Sequence, residues 1–326
     1  MANAKPFVFL DDKFLIILDI QKELQNVQLF KNLDLLTNQA VEGFISGMHK
    51  SPFHGFSSEF AEHAIYNQGE STKHIDWKLY ARTDKLYTKK YEEETNLRCH
   101  IILDNSSSMH YPVQKNNSFN NLNKIGFSVL ATAALMNLLK RQRDAIGLSV
   151  YSDSYEFYAP EKGSERHHQM LVHYLSKLTF KTQQNKTTKT YTYLHQIAEK
   201  IHRRSMIILF TDMLQTETEN QALFEALKHL KYNKHEVILF HTIDSTTEEE
   251  FNFSNAPKRF TDVETGEVID LYAENVKDVY QKQMKEYIKN IKIQCGQYRI
   301  KYVTADIKTD LNKVLHTYLL ERHIFA

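Results

Sequence analysis

Apolar and polar positions change rhythm near residue 97 of this chain. Beyond that point, short β-branched runs bounded by breakers alternate with longer stretches whose apolar residues recur at helical spacing. The runs are Cys99–Asp104, Ala145–Tyr151, Ser205–Asp212, Glu236–Thr242 and Tyr298–Thr304. Helical patterns follow them at Asn123–Arg141, His167–Leu178, Tyr193–Arg203, Asn220–Lys231, Glu274–Gln294 and Thr309–Glu321. The first pattern is apolar nearly all round, from Ile125 to Leu139, as suits a helix packed on a sheet and covered by neighbours. Strands and helices in this alternation predict an α/β fold, with a doubly wound, mostly parallel central sheet and helices on both faces.

Two departures from strict alternation are expected. Tyr155–Tyr158 follows the second strand after Ser152-Asp153-Ser154 and reads as its antiparallel partner. Arg259–Leu271, around Glu264-Thr265-Gly266, reads as an inserted hairpin. Before residue 97 the pattern is irregular: a helix over Asn32–Met48, then a polar, aromatic-studded stretch, Ser51–Asn96. The expected division is therefore an irregular α+β region at 1–96 and the sheet domain at 97–326.

Charge narrows the function classes. Across 326 residues, 41 Lys+Arg stand against 40 Asp+Glu, so the electrostatic footprint of a general nucleic-acid binder is missing. The most apolar stretch, Ile125–Leu139, is shorter than the roughly 20 residues a bilayer span needs. The N-terminal segment meets Asp11 and Asp12 before a full apolar region forms, so it does not read as a signal peptide. Two cysteines, Cys99 and Cys295, make no disulfide framework and no Cys/His metal spacing. These features predict a cytoplasmic protein with no nucleic-acid partner and no membrane insertion.

The candidate chemistry lies where strands end. The first and third runs close on aspartates, Asp104 and Asp212, and ligands of open α/β sheets bind at the carboxyl ends of strands. Asp104 also opens a D-x-S-x-S pattern, Asp104-Asn105-Ser106-Ser107-Ser108. In extended chain, alternate residues point the same way, so one carboxylate and two hydroxyls would converge. Such an all-oxygen set suits Mg²⁺, Mn²⁺ or Ca²⁺ rather than Zn²⁺. With Asp104 and Asp212 as the only carboxylates nearby, the ion would be neutralised yet stay electrophilic, open to a carboxylate from another molecule. The reading requires that these oxygens converge and are not capped by the protein's own basic groups.

Ile101–Met109 together with Thr211-Asp212 resembles the metal-ion-dependent adhesion site of von Willebrand factor A domains. More specifically, Ser51-Pro52-Phe53-His54-Gly55, Glu59-Phe60-Ala61-Glu62-His63, His74-Ile75-Asp76-Trp77, Tyr80-Ala81-Arg82-Thr83 and Tyr91-Glu92-Glu93-Glu94-Thr95-Asn96 are similar to the domain-of-unknown-function family number fifty-eight. That family is von Willebrand A-like and is typically encoded beside MoxR-type AAA+ ATPases. The resemblance implies a metal set of Asp104, Ser106, Ser108, Asp212 and a threonine, which falls on Thr188. Thr187, Thr190 and Thr192 compete for that place, because the family's usual Gly-Gly-Thr-Asp reads Lys186-Thr187-Thr188-Lys189 here. It also implies a non-enzymatic, metal-dependent protein-interaction module, with a protein ligand supplying an acidic residue and a MoxR-type ATPase as partner.

Two further readings stand beside this one. A Mg²⁺-dependent phosphate-ester hydrolase could use Asp104 as nucleophile, but it usually needs a second carboxylate two residues on, where this chain has Ser106. A metal-free scaffold is the other. Trp77, the single tryptophan, is expected to plug the N-terminal region, with Asp76 and Arg82 as a polar clip; the alternative makes this face a docking surface for an ATPase partner. His167, His168, His235 and His241 are expected at the surface or at element ends.

Overall fold

The computed structural model describes residues 57–65, 75–94, 97–113, 122–178, 190–254, 256–262, 266–309, 311 and 314. The helix expected at 32–48 and most of that at 309–321 lie outside these residues. An antiparallel pair comes first: β1 (Ser57–Ile65) and β2 (Tyr87–Glu94), in register from Ser57↔Glu94 to Ile65↔Tyr87. Between them runs a short helix, α1 (Trp77–Thr83). The stretch expected to be irregular thus holds an ordered hairpin whose second strand, Tyr-Thr-Lys-Lys-Tyr-Glu-Glu-Glu, is too charged to announce itself.

The remaining chain builds the predicted sheet. In order it runs β3 (Arg98–Asp104), α2 (Lys124–Arg141), β4 (Ala145–Tyr151), β5 (Tyr155–Lys162), α3 (Glu165–Leu178), α4 (Thr190–Lys200), β6 (Met206–Thr211), α5 (Glu217–Tyr232) and β7 (Glu236–Ile243). A hairpin follows, β8 (Lys258–Thr261) with β9 (Val268–Leu271), then α6 (Ala273–Gln297) and β10 (Lys301–Asp306). Six strands pair in the order β10-β7-β6-β3-β4-β5, all parallel except β5, which runs antiparallel to β4.

That order contains a reversal. From β3 the chain moves outward to β4 and β5, then crosses back to β6 on the other side of β3. The carboxyl ends of β3 and β6 therefore flank the switch point, the crevice where ligands of such sheets bind. Side-chain alternation divides two cores. Cys99, Ile101 and Leu103 face α2 and α3, with Ile125, Met136, Leu171 and Leu175. Ile102 faces α4, α5 and α6, with Leu194, Ile197, Leu227 and Ile291. Both faces of β3 and β6 are thus covered.

Candidate metal centre

The loop leaving β3 is buried throughout, from Asp104 to His110. It does not stay extended as expected. Ser107–His110 forms a 3-10 turn, and this turn brings the Ser106 and Ser108 hydroxyls within 3.1 Å of each other. The Asp104 carboxylate is held at both oxygens: the Ser106 amide donates to Oδ1 at 2.9 Å, and the Thr211 hydroxyl to Oδ2 at 2.8 Å. Thr211 is the last residue of β6, so its hydroxyl ties the two strand ends together. Asp212 follows at once; its Oδ1 accepts from the Leu214 amide at 3.2 Å, and its carboxylate also takes a hydrogen bond from Ser108. Asp104, Ser106, Ser108 and Asp212 thus converge, as expected. Thr187 and Thr188 lie outside the described residues; Thr190 begins α4, and Thr192 is exposed on it.

Two groups in this centre were not anticipated. Lys124, the first residue of α2, is fully buried, and its Nζ donates to Asp212 Oδ2 at 2.8 Å and to Glu248 Oε1 at 2.5 Å. Glu248 comes from the turn after β7, and its other oxygen accepts from the Asp244 amide at 2.7 Å. The expectation of two carboxylates free of basic groups is therefore corrected, and the condition set for the metal reading is met only in part: the oxygens converge, but Lys124 caps Asp212. A third carboxylate, Glu248, joins the centre, and an internal ammonium caps both it and Asp212.

The electrostatics follow from this packing. Burial raises Asp104, and the Asp212 charge adds to it, so its pKa moves up to about 7 despite the hydrogen bonds it accepts. Burial acts on Asp212 in the same sense, but Lys124 outweighs it and keeps Asp212 ionised, below its ordinary range. Burial raises Glu248, which Lys124 only partly offsets. For Lys124 burial alone would favour the neutral amine; the two carboxylates reverse this and hold it protonated. His241, on β7, is buried and its pKa is lowered to about 4. Its Nε2 lies 2.9 Å from the Asp212 carbonyl, which can only accept, so the neutral ring donates there and accepts from the Tyr302 hydroxyl at 2.6 Å.

The donor set fits a hard divalent cation in chemistry, all of it oxygen, with Asp212 Oδ2 held by Lys124; among the described residues no group of three or more His, Cys, Asp and Glu is placed to hold a metal ion.

Other expectations are corrected. Trp77 is not a plug: it stands on α1 with 61% of its surface exposed, and Asp76 is the N-cap, accepting from the Lys78 and Leu79 amides. His167, His168, His235 and His241 are all buried. Backbone groups meet three of these rings: His167 Nε2 lies 3.0 Å from the Ile146 carbonyl, His235 Nδ1 accepts from the Ser205 amide at 3.2 Å, and His241 donates to the Asp212 carbonyl.

Fold and site together define a doubly wound α/β protein with a buried anionic centre at its switch point. Residues 62–289 match the family described as "Protein of unknown function DUF58", and the chain belongs to that family. An uncharacterized protein of Mycobacterium tuberculosis is 26% identical over 81 residues, 25% of this chain and 26% of its own, so the match spans about a quarter of that relative. Among solved structures, BatB of Bacteroides thetaiotaomicron is 15% identical, with 70% of this chain and 98% of that one covered and a TM-score of 0.40. The VWA domain of SpRpn10 is 13% identical, covering 45% and 75%, with a TM-score of 0.30. Among the described residues, no helix is long and apolar enough to cross a membrane.

Proposed function

We propose that this protein is a non-enzymatic protein-interaction module whose binding face is completed by a hard divalent cation, Mg²⁺ in the first instance and Mn²⁺ or Ca²⁺ by the same chemistry. The observation that carries the reading is the convergence of Asp104, Ser106, Ser108 and Asp212 at the switch point. Those four residues would hold the ion, with Thr188 or a neighbouring threonine as a further donor. When bound, the ion would supply an open position for an acidic side chain of a protein partner. Neutral hydroxyl donors keep that position electrophilic, and the buried loop keeps it dry.

The partner we favour is a MoxR-type AAA+ ATPase, the pair acting in assembly or maturation of other protein complexes. Trp77 and Tyr80, which meet edge to face at 6.2 Å on exposed α1, offer a second contact surface. A cytoplasmic setting suits the two cysteines, Cys99 and Cys295, which are buried and form no disulfide. Hydrolysis is disfavoured because Ser106 stands where the leaving group would need an acid, and Lys124 already engages Asp212 and Glu248. One observation favours a second reading, a metal-free scaffold: the Lys124 ammonium already neutralises Asp212.

Thermal unfolding of the wild type and of Asp104→Ala, each with and without MgCl₂ or MnCl₂, separates these readings. Metal at one hundred times its Kd should stabilise the wild type by about 2.7 kcal/mol, and Asp104→Ala should show no such gain. Turnover of a generic phosphate ester, lost in Asp104→Ala, would instead establish the hydrolase. No metal response in the wild type, together with EDTA-insensitive co-purification of the ATPase, would leave the scaffold.

A further inference from the structure

Lys124 is an improbable residue for its place. It is fully buried, and it opens α2, where the helix dipole disfavours a positive charge. The Asn123 side chain already caps that helix by accepting from the Gly126 amide at 2.9 Å, so the lysine is not needed for helix initiation. Apolar residues fill most of the positions behind it. The ammonium spans two carboxylates that differ in kind. Asp212 shares Ser108 with the candidate ion site. Glu248 stands apart from the serine loop and is fixed independently, with Oε2 on the Asp244 amide and its own carbonyl accepting from the Tyr280 hydroxyl at 3.0 Å. The Tyr111 ring, 5.9 Å from Nζ, walls the remaining side.

We propose that Lys124 is a tethered cation that competes with the divalent ion for Asp212, and that Glu248 is the carboxylate that keeps the ammonium when the ion enters. The inference rests on the metal reading above and adds regulation to it. Without metal the lysine offsets the charge of Asp212 and Glu248. Metal must displace that ammonium from Asp212, so the ion alone binds weakly, and a partner's acidic residue that completes the ion's shell adds to the displacement. Occupancy is thereby linked to engagement of the partner.

The test is Mg²⁺ affinity, read by titration calorimetry and by the metal-dependent shift in Tm, for the full chain carrying Lys124→Met, Glu248→Gln or both. Lys124→Met should tighten Mg²⁺ about tenfold or more, and Glu248→Gln should weaken it about threefold, because the ammonium then has only Asp212 to hold. In the Lys124→Met background, Glu248→Gln should change affinity by less than about twofold, since no ammonium remains to be accommodated. Additive effects of the two substitutions would show only a general charge effect and overturn the competition. Equal Mg²⁺ affinity in wild type and Lys124→Met would overturn it while leaving the metal site standing. No Mg²⁺ binding by either protein would overturn both. If Lys124→Met fails to fold, Lys124→Gln takes its place in the same comparison: tighter Mg²⁺ binding than wild type with a non-additive Glu248→Gln effect supports the proposal, and unchanged or weaker binding sinks it.

Discussion

At the scale of single residues, the centre is governed by burial set against charge. His241 shows the sign most simply. Its pKa is lowered from 6.5 to about 4 because burial opposes the imidazolium, with Lys124 and Lys292 adding repulsion while Asp212 and its carbonyl oppose them. The unfolded chain therefore binds a proton on this residue at a higher pH than the native chain does. Stability from this source is complete above about pH 6.5 and is lost as pH falls toward 4. The full effect is of the order of 3 kcal/mol. Asp104 acts in the opposite sense: its raised pKa adds stability at low pH that disappears as pH rises through about 7. Replacing His241 with Gln, which keeps a donor for the Asp212 carbonyl, should flatten the acid side of the profile. Urea unfolding of both proteins at pH 4.5 and pH 7 checks this. Parallel losses in the two would mean that His241 does not carry the slope.

At the scale of elements, packing against the sheet decides what may change. His100 on β3 faces Gly147 on β4 in register, with its ring held by Glu161 at 2.6 Å and by the Ser149 hydroxyl at 2.7 Å. A Cβ at position 147 would lie 2.5 Å from His100 Nδ1 and 3.0 Å from the Ala159 carbonyl. Neither neighbour can yield without breaking a bond, so Gly147→Ala should cost about 2 kcal/mol by overpacking, measured as a lowered urea midpoint. Gly296, with open space around its Cβ position, is the control. On α5, Thr216 and Glu219 form a reciprocal capping box, and Thr216→Ala should cost about 1 kcal/mol in the same assay. The sheet was legible because its strands are β-branched runs with both faces covered. The start of β10 was not, since α6 continues to Gln297 and Arg299, at φ 54°, resets the chain before the strand begins. Likewise Asp104, Ser106, Ser108 and Asp212 could be read from strand ends, but Lys124 could not. Its partners stand 88 and 124 residues further along, and inside an apolar helical pattern a lysine reads as a surface residue.

At the scale of the whole molecule, the sheet domain buries its chemistry while the β1–β2 hairpin carries exposed apolar groups. Ile65 is 70% exposed and Trp77 61%, with Tyr80 also on the surface. Sequence reasoning placed Trp77 inside because large aromatics are usually buried, but here Asp76 starts a short helix that turns the indole outward. The surface has a direct reporter, since the chain contains one tryptophan. Iodide should quench its emission efficiently in the native protein, and unfolding should increase that access only slightly. Removing an exposed side chain that fills no core should leave stability within about 0.5 kcal/mol, so Trp77→Ala should unfold at nearly the wild-type urea midpoint. If this face contacts the ATPase, adding that partner should shield Trp77 from iodide, and Trp77→Ala should weaken the complex without altering the Mg²⁺ response. A wild-type indole inaccessible to iodide, or a Trp77→Ala variant destabilised by several kcal/mol, would place the residue in a core and remove α1 as a contact surface.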